Sequence, residues 1–223
     1  MSEPVLVKGV RLFGQNGLYD LHFEDGLIAS IRPAADGGAA LMALPGFCES
    51  HAHLFAGGVA LGQRNLSGVH GSQNLRAALQ HHASITPEGD LVCAFGANYD
   101  LLGSLRPDRH ALDRLPPDRP LCITATDFHC AWANTAALTW AGLLHGAEVG
   151  PGSEVVIGPD GLATGELREF AAMDRVRRLA PSGGRETLGL SALEPEGVTE
   201  AERARDKAIL HRALAECLRA GVR

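Results

Sequence analysis

Apolar-rich runs over residues 5–13, 18–23 and 27–31, with Leu21 and Phe23 alternating with His22 and Glu24, predict three strands near the start of the chain. Gly14-Gln15-Asn16-Gly17 separates the first two, and Asp25-Gly26 is the chemistry of a tight hairpin. Three strands cannot bury both faces of a sheet, so this meander needs partners from elsewhere. Residues 34–40, with Gly37-Gly38, read as a surface loop. Next, an apolar run enters the Pro45-Gly46 turn and a short strand carrying His51 and His53, with a loop at 55–58. Ser72 caps a helix whose Leu75, Ala78, Leu79 and His82 fall on one stripe. Residues 91–95 and 121–125 are apolar strands, joined by a proline- and charge-rich connection over 107–120 that contains the short run 111–115.

Helical periodicity covers 131–140 and stops at Gly142. Val155-Val156-Ile157 and Leu162-Ala163-Thr164 flank a turn at Gly158-Pro159-Asp160-Gly161, a hairpin by turn chemistry. Residues 166–179 read as a helix with Leu167, Phe170 and Ala171 on one side, broken by Pro181-Ser182-Gly183-Gly184. Thr199-x-x-Glu202 is a capping box for a long helix. Its buried stripe is Leu210, Ala213, Leu214, Cys217 and Leu218, and Gly221 is its C-terminal cap. Val222-Arg223 then reads as the first step of another strand. Interleaved strands and helices define an α/β chain.

Composition narrows the class. At 223 residues the chain is one large domain or two small ones. A net charge of −6 without a basic patch excludes nucleic acid as an expected partner. The start has no apolar region of signal-peptide length, and no apolar run reaches membrane-spanning length. Cys48, Cys93, Cys122, Cys130 and Cys217 form no Cys-x-x-Cys, which predicts buried free thiols in a reducing cytoplasm.

The candidate chemistry starts at His51 and His53. Side chains at i and i+2 of a strand share a face, so both imidazoles can converge on one ion. With 10 histidines in the chain, one such spacing arises by chance about 0.4 times, so context must carry the assignment. Further ligands are available in Glu166, Glu169 and His129, for which the plainer readings are a solvated helix face for each glutamate and a helix-start cap for His129. Residues 127–138 place a polar cluster where a strand yields to a helix, the usual position of site residues in α/β folds. There His129 and Asn134 are either caps or substrate contacts, and Trp132 is either core or pocket wall. Asn98, Tyr99 and Asp100 stand at a similar strand end. A phosphate loop and a serine nucleophile elbow are both absent from the sequence.

Taken in order, Pro45-Gly46-Phe47 with His51-x-His53-Leu54, Asn65-Leu66-Ser67-Gly68-Val69 and Gly96-x-Asn98-Tyr99-Asp100 form a series. It continues through Arg106-Pro107-Asp108-Arg109-His110-x-Leu112-Asp113, His129-x-x-Trp132-x-Asn134 and Asp160-Gly161-x-x-Thr164-Gly165-x-Leu167-x-Glu169. This series resembles the YtcJ-like branch of the amidohydrolase superfamily, amidohydrolase family 3, with Glu49 in place of the usual aspartate.

The resemblance implies a partial TIM-like barrel of the metal-dependent hydrolases. Residues 1–45 would form the N-terminal part of a composite β-sandwich. Residues 46–223 would start the barrel, with a substrate-shaping α/β insert at about 55–200. It implies one or two divalent ions, zinc foremost, held by His51, His53 and Glu169, with Glu166 at a variable position. His129, Trp132, Asn134, Tyr99 and Asp100 would line the site. The implied reaction is hydrolysis of a non-peptide C–N bond, such as that of a small substituted amide, by a cytoplasmic enzyme that can be a homo-oligomer. Members of the family carry further histidine ligands and a catalytic aspartate downstream of the position matching Arg223, so the resemblance also implies a C-terminally truncated chain of weak or no activity. Two rival expectations are a non-catalytic folded remnant or oligomeric ligand-binding module, and a small metalloenzyme with a shell of His51, His53, Glu169 and His129.

Overall fold

In the computed structural model, residues 3–35, 41–103, 106–115, 119–187 and 197–223 are described. Residues 36–40 of the expected loop and 116–118 of the expected connection lie outside them. The chain divides into two compact units, residues 1–50 with 217–223, and residues 51–216.

The first unit is a four-stranded sheet. Strands β1 (Val5–Leu12), β2 (Tyr19–Glu24), β3 (Leu27–Pro33) and β4 (Met42–Ala43) are ordered β3-β2-β1-β4. The meander pairs antiparallel and β4 joins β1 in parallel. Asp25 and Gly26 both have positive φ (49° and 79°), the backbone of the hairpin turn their sequence predicts. Phe47 forms a parallel bridge with Val222, closed by Phe47 N–H to Gly221 O (2.7 Å) and Arg223 N–H to Phe47 O (2.8 Å). The expected start of a strand at Val222 is thus a parallel pairing with the Pro-Gly-Phe segment.

The second unit is built on a six-stranded mixed sheet, β5-β6-β7-β8-β10-β9. Its chain order runs α1 (Leu54–Ala60), β5 (Arg64–Asn65), α2 (Ser72–Ile85), β6 (Val92–Ala97), α3 (Arg109–Asp113), β7 (Leu121–Ala125) and β8 (Cys130–Ala133). It continues with α4 (Thr135–Trp140), β9 (Glu154–Ile157), β10 (Ala163–Arg168), α5 (Glu169–Arg177), a 3-10 turn (Arg185–Thr187) and α6 (Glu200–Arg219). Strands β5, β6 and β7 are parallel, while β8, β10 and β9 run antiparallel to their neighbours. Alternate residues of β6 and β7 feed two cores. Val92, Ala94, Leu121 and Ile123 pack with Leu75 and Leu79 of α2, whereas Leu91 and Cys122 join Leu138, Leu143, Leu167, Met173 and Val176.

Several local expectations are corrected. The His51–His53 segment is irregular backbone leading into α1, and the loop expected at 55–58 is part of that helix. Gly58 belongs there because a Cβ would stand 2.8 Å from both Ile209 Cγ2 and Ile209 O of α6. The glycine permits close helix–helix approach, a role its sequence neighbourhood disguised as a loop.

Residues 131–133 and 166–168, read as helix, are strands that pair with each other, with Glu166 opposite Trp132. Gly71, without a side-chain bond, caps α2 in place of Ser72. The stripe of α6 is mostly open: Ala213 is buried and Cys217 half-buried, but Leu210, Leu214 and Leu218 are exposed. The capping box stands as expected, with Thr199 N–H donating to Glu202 Oε2 (2.9 Å) and Glu202 N–H donating to Thr199 Oγ1 (3.3 Å). All five cysteines are free, but only Cys122 and Cys130 are buried, and Cys48 is exposed.

Candidate functional site

His53 occupies the N-cap position of α1 and its carbonyl accepts from Gly57 N–H (2.9 Å). Its ring meets that of His51 edge to face, with centroids 5.1 Å apart and Nε2 atoms separated by 3.4 Å. Two nitrogens, each ~2.0–2.1 Å from a tetrahedral zinc, stand roughly 3.3–3.4 Å apart. The pair therefore fits two corners of such a shell, although its backbone is not a strand. The third expected ligand is not brought to it. Among the described residues no group of three His, Cys, Asp or Glu side chains lies close enough together to hold an ion.

Glu169 instead faces His129, with Nδ1 lying 3.2 Å from both carboxylate oxygens. The sheet sets this contact: β8 and β10 pair antiparallel, and Glu169 N–H donates to His129 O (2.9 Å). The preceding Thr164-Gly165 is equally constrained. Gly165 has φ 106°, and a Cβ there would stand 2.7 Å from Ala133 O and Arg109 N. The hydrogen bond to Glu169, followed by the carboxylate's charge, raises the His129 pKa above that of an ordinary imidazole.

Asp127 extends the cluster, accepting from His129 N–H (3.0 Å) and from the Tyr99 hydroxyl (3.1 Å). Phe128 and Glu169 both have φ of 63°, a conformation that L residues adopt at a cost of about 1–3 kcal/mol. Strain at these two positions frames the His129–Glu169 pair.

The other predicted residues are placed differently. Trp132 is in the core, beneath Tyr99, in a T-shaped contact of 5.3 Å between ring centroids. Asn134 is buried and caps α4, with all three of its amide bonds directed to backbone groups. Asp100 is exposed in the turn after β6. Glu166 is buried under Arg168 Nε (2.8 Å) and Arg106 Nη2 (3.3 Å), so its carboxylate serves a charge cluster on the sheet.

A cavity of ≈ 350 Å³ touches both halves of the site. His53 lines it, as do Phe128 and Phe170, the chain neighbours of His129 and Glu169. Cys93 and Cys122, register partners on β6 and β7, contribute to its wall with Phe95 and Thr124. Burial pushes both thiols up, Cys122 to about 11, so they are protonated wall groups at neutral pH. Arg177 and Glu186 add charge to the lining. Sequence reasoning placed Asp127 and Phe128 in its candidate polar segment without giving either a role, and passed over Arg177 and Glu186. The strand-end position of Asp127-Phe128 was a usable signal, while nothing local marks Glu186.

The fold resembles that of two solved proteins. Two crystal structures of uncharacterized metal-dependent hydrolases, from Pyrococcus horikoshii OT3 and Pyrococcus furiosus, each superpose with a TM-score of 0.52 at 21% identity. They cover 92% and 91% of this chain, which spans 38% of each. The chain belongs to the amidohydrolase family, whose sequence pattern matches residues 39–223. It is 31% identical over 140 residues to the putative amidohydrolase YtcJ of Bacillus subtilis (strain 168), covering 61% of this chain and 26% of that protein. It is also 32% identical over 133 residues to the protein LONG AFTER FAR-RED 3 of Arabidopsis thaliana, covering 60% of this chain and 23% of the plant protein.

Proposed function

We propose that this chain carries the metal-anchoring part of a hydrolase for non-peptide C–N bonds, with small substituted amides as its substrates. The convergence of the His51 and His53 Nε2 atoms to 3.4 Å, within a family-matched segment, carries this reading. His51 and His53 are the imidazole ligands and Glu169 is the family-position carboxylate. A divalent ion held there, for which His and carboxylate donors suit zinc, iron or manganese, would supply Lewis acidity toward a carbonyl oxygen and lower the pKa of water. His129 orients the Glu169 carboxylate, Asp127 orients the His129 backbone and Tyr99, and Phe128 and Phe170 line the adjoining cavity.

In the same reading, residues 1–45 are part of a composite β-sandwich and 46–223 start a barrel with an insert at about 55–200. Two imidazoles are half of a tetrahedral shell, so turnover by this chain alone is expected to be weak. The second reading is a non-catalytic ligand-binding module, favoured by the absence of a three-ligand group among the described residues.

Metal content separates the two. Under the first reading, the chain purified without chelators retains zinc or takes up Co(II) with a ligand-field spectrum. His51→Ala and His53→Ala should each weaken that uptake at least tenfold. Uptake unchanged in both variants sinks the metal-centre reading and leaves the module.

A further inference from the structure

The cavity wall is apolar and aromatic except at His53, Gln63, Arg177, Glu186 and the small polar groups of cysteine and threonine side chains. Glu186 Oε2 is buried and has no hydrogen-bond partner among the described residues. An unpartnered buried carboxylate oxygen is costly, and such groups persist where a ligand completes them. Glu186 is also held on both sides. Arg185 forms a two-pronged bridge to Asp206 (2.7 and 2.8 Å) and reaches Glu202 (3.2 Å), while Thr187 Oγ1 donates to Gly184 O (2.8 Å). Arg177 also lines the cavity, with its Nη1 lying 3.6 Å from Asp174 Oδ1. A fixed, anionic hydrogen-bond acceptor thus lines a cavity to which Phe95, Phe128 and Phe170 also contribute. Carboxylate and aromatic rings together select an organic cation, through charge-assisted N–H bonds and cation–π attraction.

We propose that Glu186 is a specificity-determining residue that anchors an ammonium group on an apolar or aryl arm of the substrate. This rests on the hydrolase reading above and narrows its substrates to amides bearing a second, cationic amine. The volume of ≈ 350 Å³ lies at the small end of ligand pockets, which suits one ring and a short arm.

The test titrates the full chain with 2-phenylethylammonium chloride, phenylacetate and 2-phenylethanol, three probes of like shape and different charge, using calorimetry. The ammonium should bind at least tenfold more tightly than the other two, and Glu186→Gln should remove that preference while retaining the parent circular dichroism spectrum. Equal affinity for the three probes overturns the proposal, as does an undiminished preference in Glu186→Gln. Should that variant not fold, the charge series on the unaltered chain still decides. Zinc or Co(II) uptake is measured on the same preparation. Failed amine selectivity with intact metal uptake therefore sinks the anchor alone, and failed metal uptake with intact selectivity sinks the hydrolase reading alone.

Discussion

The Asn134 amide joins three segments, accepting from Leu121 N–H (3.0 Å) and Ala137 N–H (2.9 Å) and donating to Arg119 O (2.8 Å). Its truncation removes a helix cap and leaves buried donors and an acceptor unmade. Asn134→Ala should therefore cost about 3 kcal/mol in a urea unfolding curve. A loss under about 1 kcal/mol would return the residue to the pocket, where an amide is expendable to the fold. The strand-to-helix motif exposed Asn134 as important but not its role, because a cap and a ligand contact occupy the same sequence position. Only burial separates them. The converse holds at His51 and His53, where the convergence was legible and the backbone was not. Two side chains separated by one residue can share a direction in irregular chain as well as in a strand, so the spacing predicted the pair without predicting its element. Glu169 shows the limit of motif position, since its partner, His129, is fixed by the β8–β10 register.

Elements were legible where their signals are local. The Asp25-Gly26 hairpin and the Thr199–Glu202 box depend on residues within one turn, and both formed as read. Strands β8 and β10 were misread in part because Cys-Ala-Trp-Ala and Glu-Leu-Arg favour helix or are neutral, and only pairing across the sheet overrides that preference. The β9–β10 hairpin is tied to α3 by Arg109, a buried guanidinium that donates to Ala163 O (2.7 Å) and to Asp160 Oδ2 (2.5 Å). Arg109, with the Leu162 N–H, holds the Asp160 carboxyl below its ordinary pKa. A depressed carboxylate stabilises the fold above the unfolded value, near 3.9, and loses that contribution as pH falls through the folded value. Asp160→Asn should thus lower the urea midpoint at pH 7. The gap to the parent should shrink below about pH 4 and vanish once the parent carboxyl is protonated in both states. A pH-independent gap would assign the loss to packing in place of charge.

Across the whole molecule, buried apolar side chains are distributed unevenly between the two units. In the unit of residues 1–50 and 217–223, Val10 and Leu21 are the buried hydrophobics among the described residues, while Val5, Leu6, Leu27, Ile28 and Ile31 are half exposed or more. The sequence anticipated this, since a short meander has too few strands to cover two faces. The unit of residues 51–216 owns both core clusters, and every residue of β7 is buried. Burial of apolar surface is the dominant favourable term in folding, so local opening should be easiest where least of it is buried. In native-state hydrogen exchange, amides of β6 and β7 should open only with global unfolding and share its denaturant dependence. Amides paired between β2 and β3 should exchange faster by at least about a hundredfold, with a shallower dependence on urea that marks sub-global opening. Adding a divalent ion should slow amides around His53 and α1 while leaving β2 and β3 unchanged, because the proposed ligands all lie in the second unit. Uniform protection across both sheets would instead show that the four-stranded sheet is stabilised as an integral part of one cooperative fold.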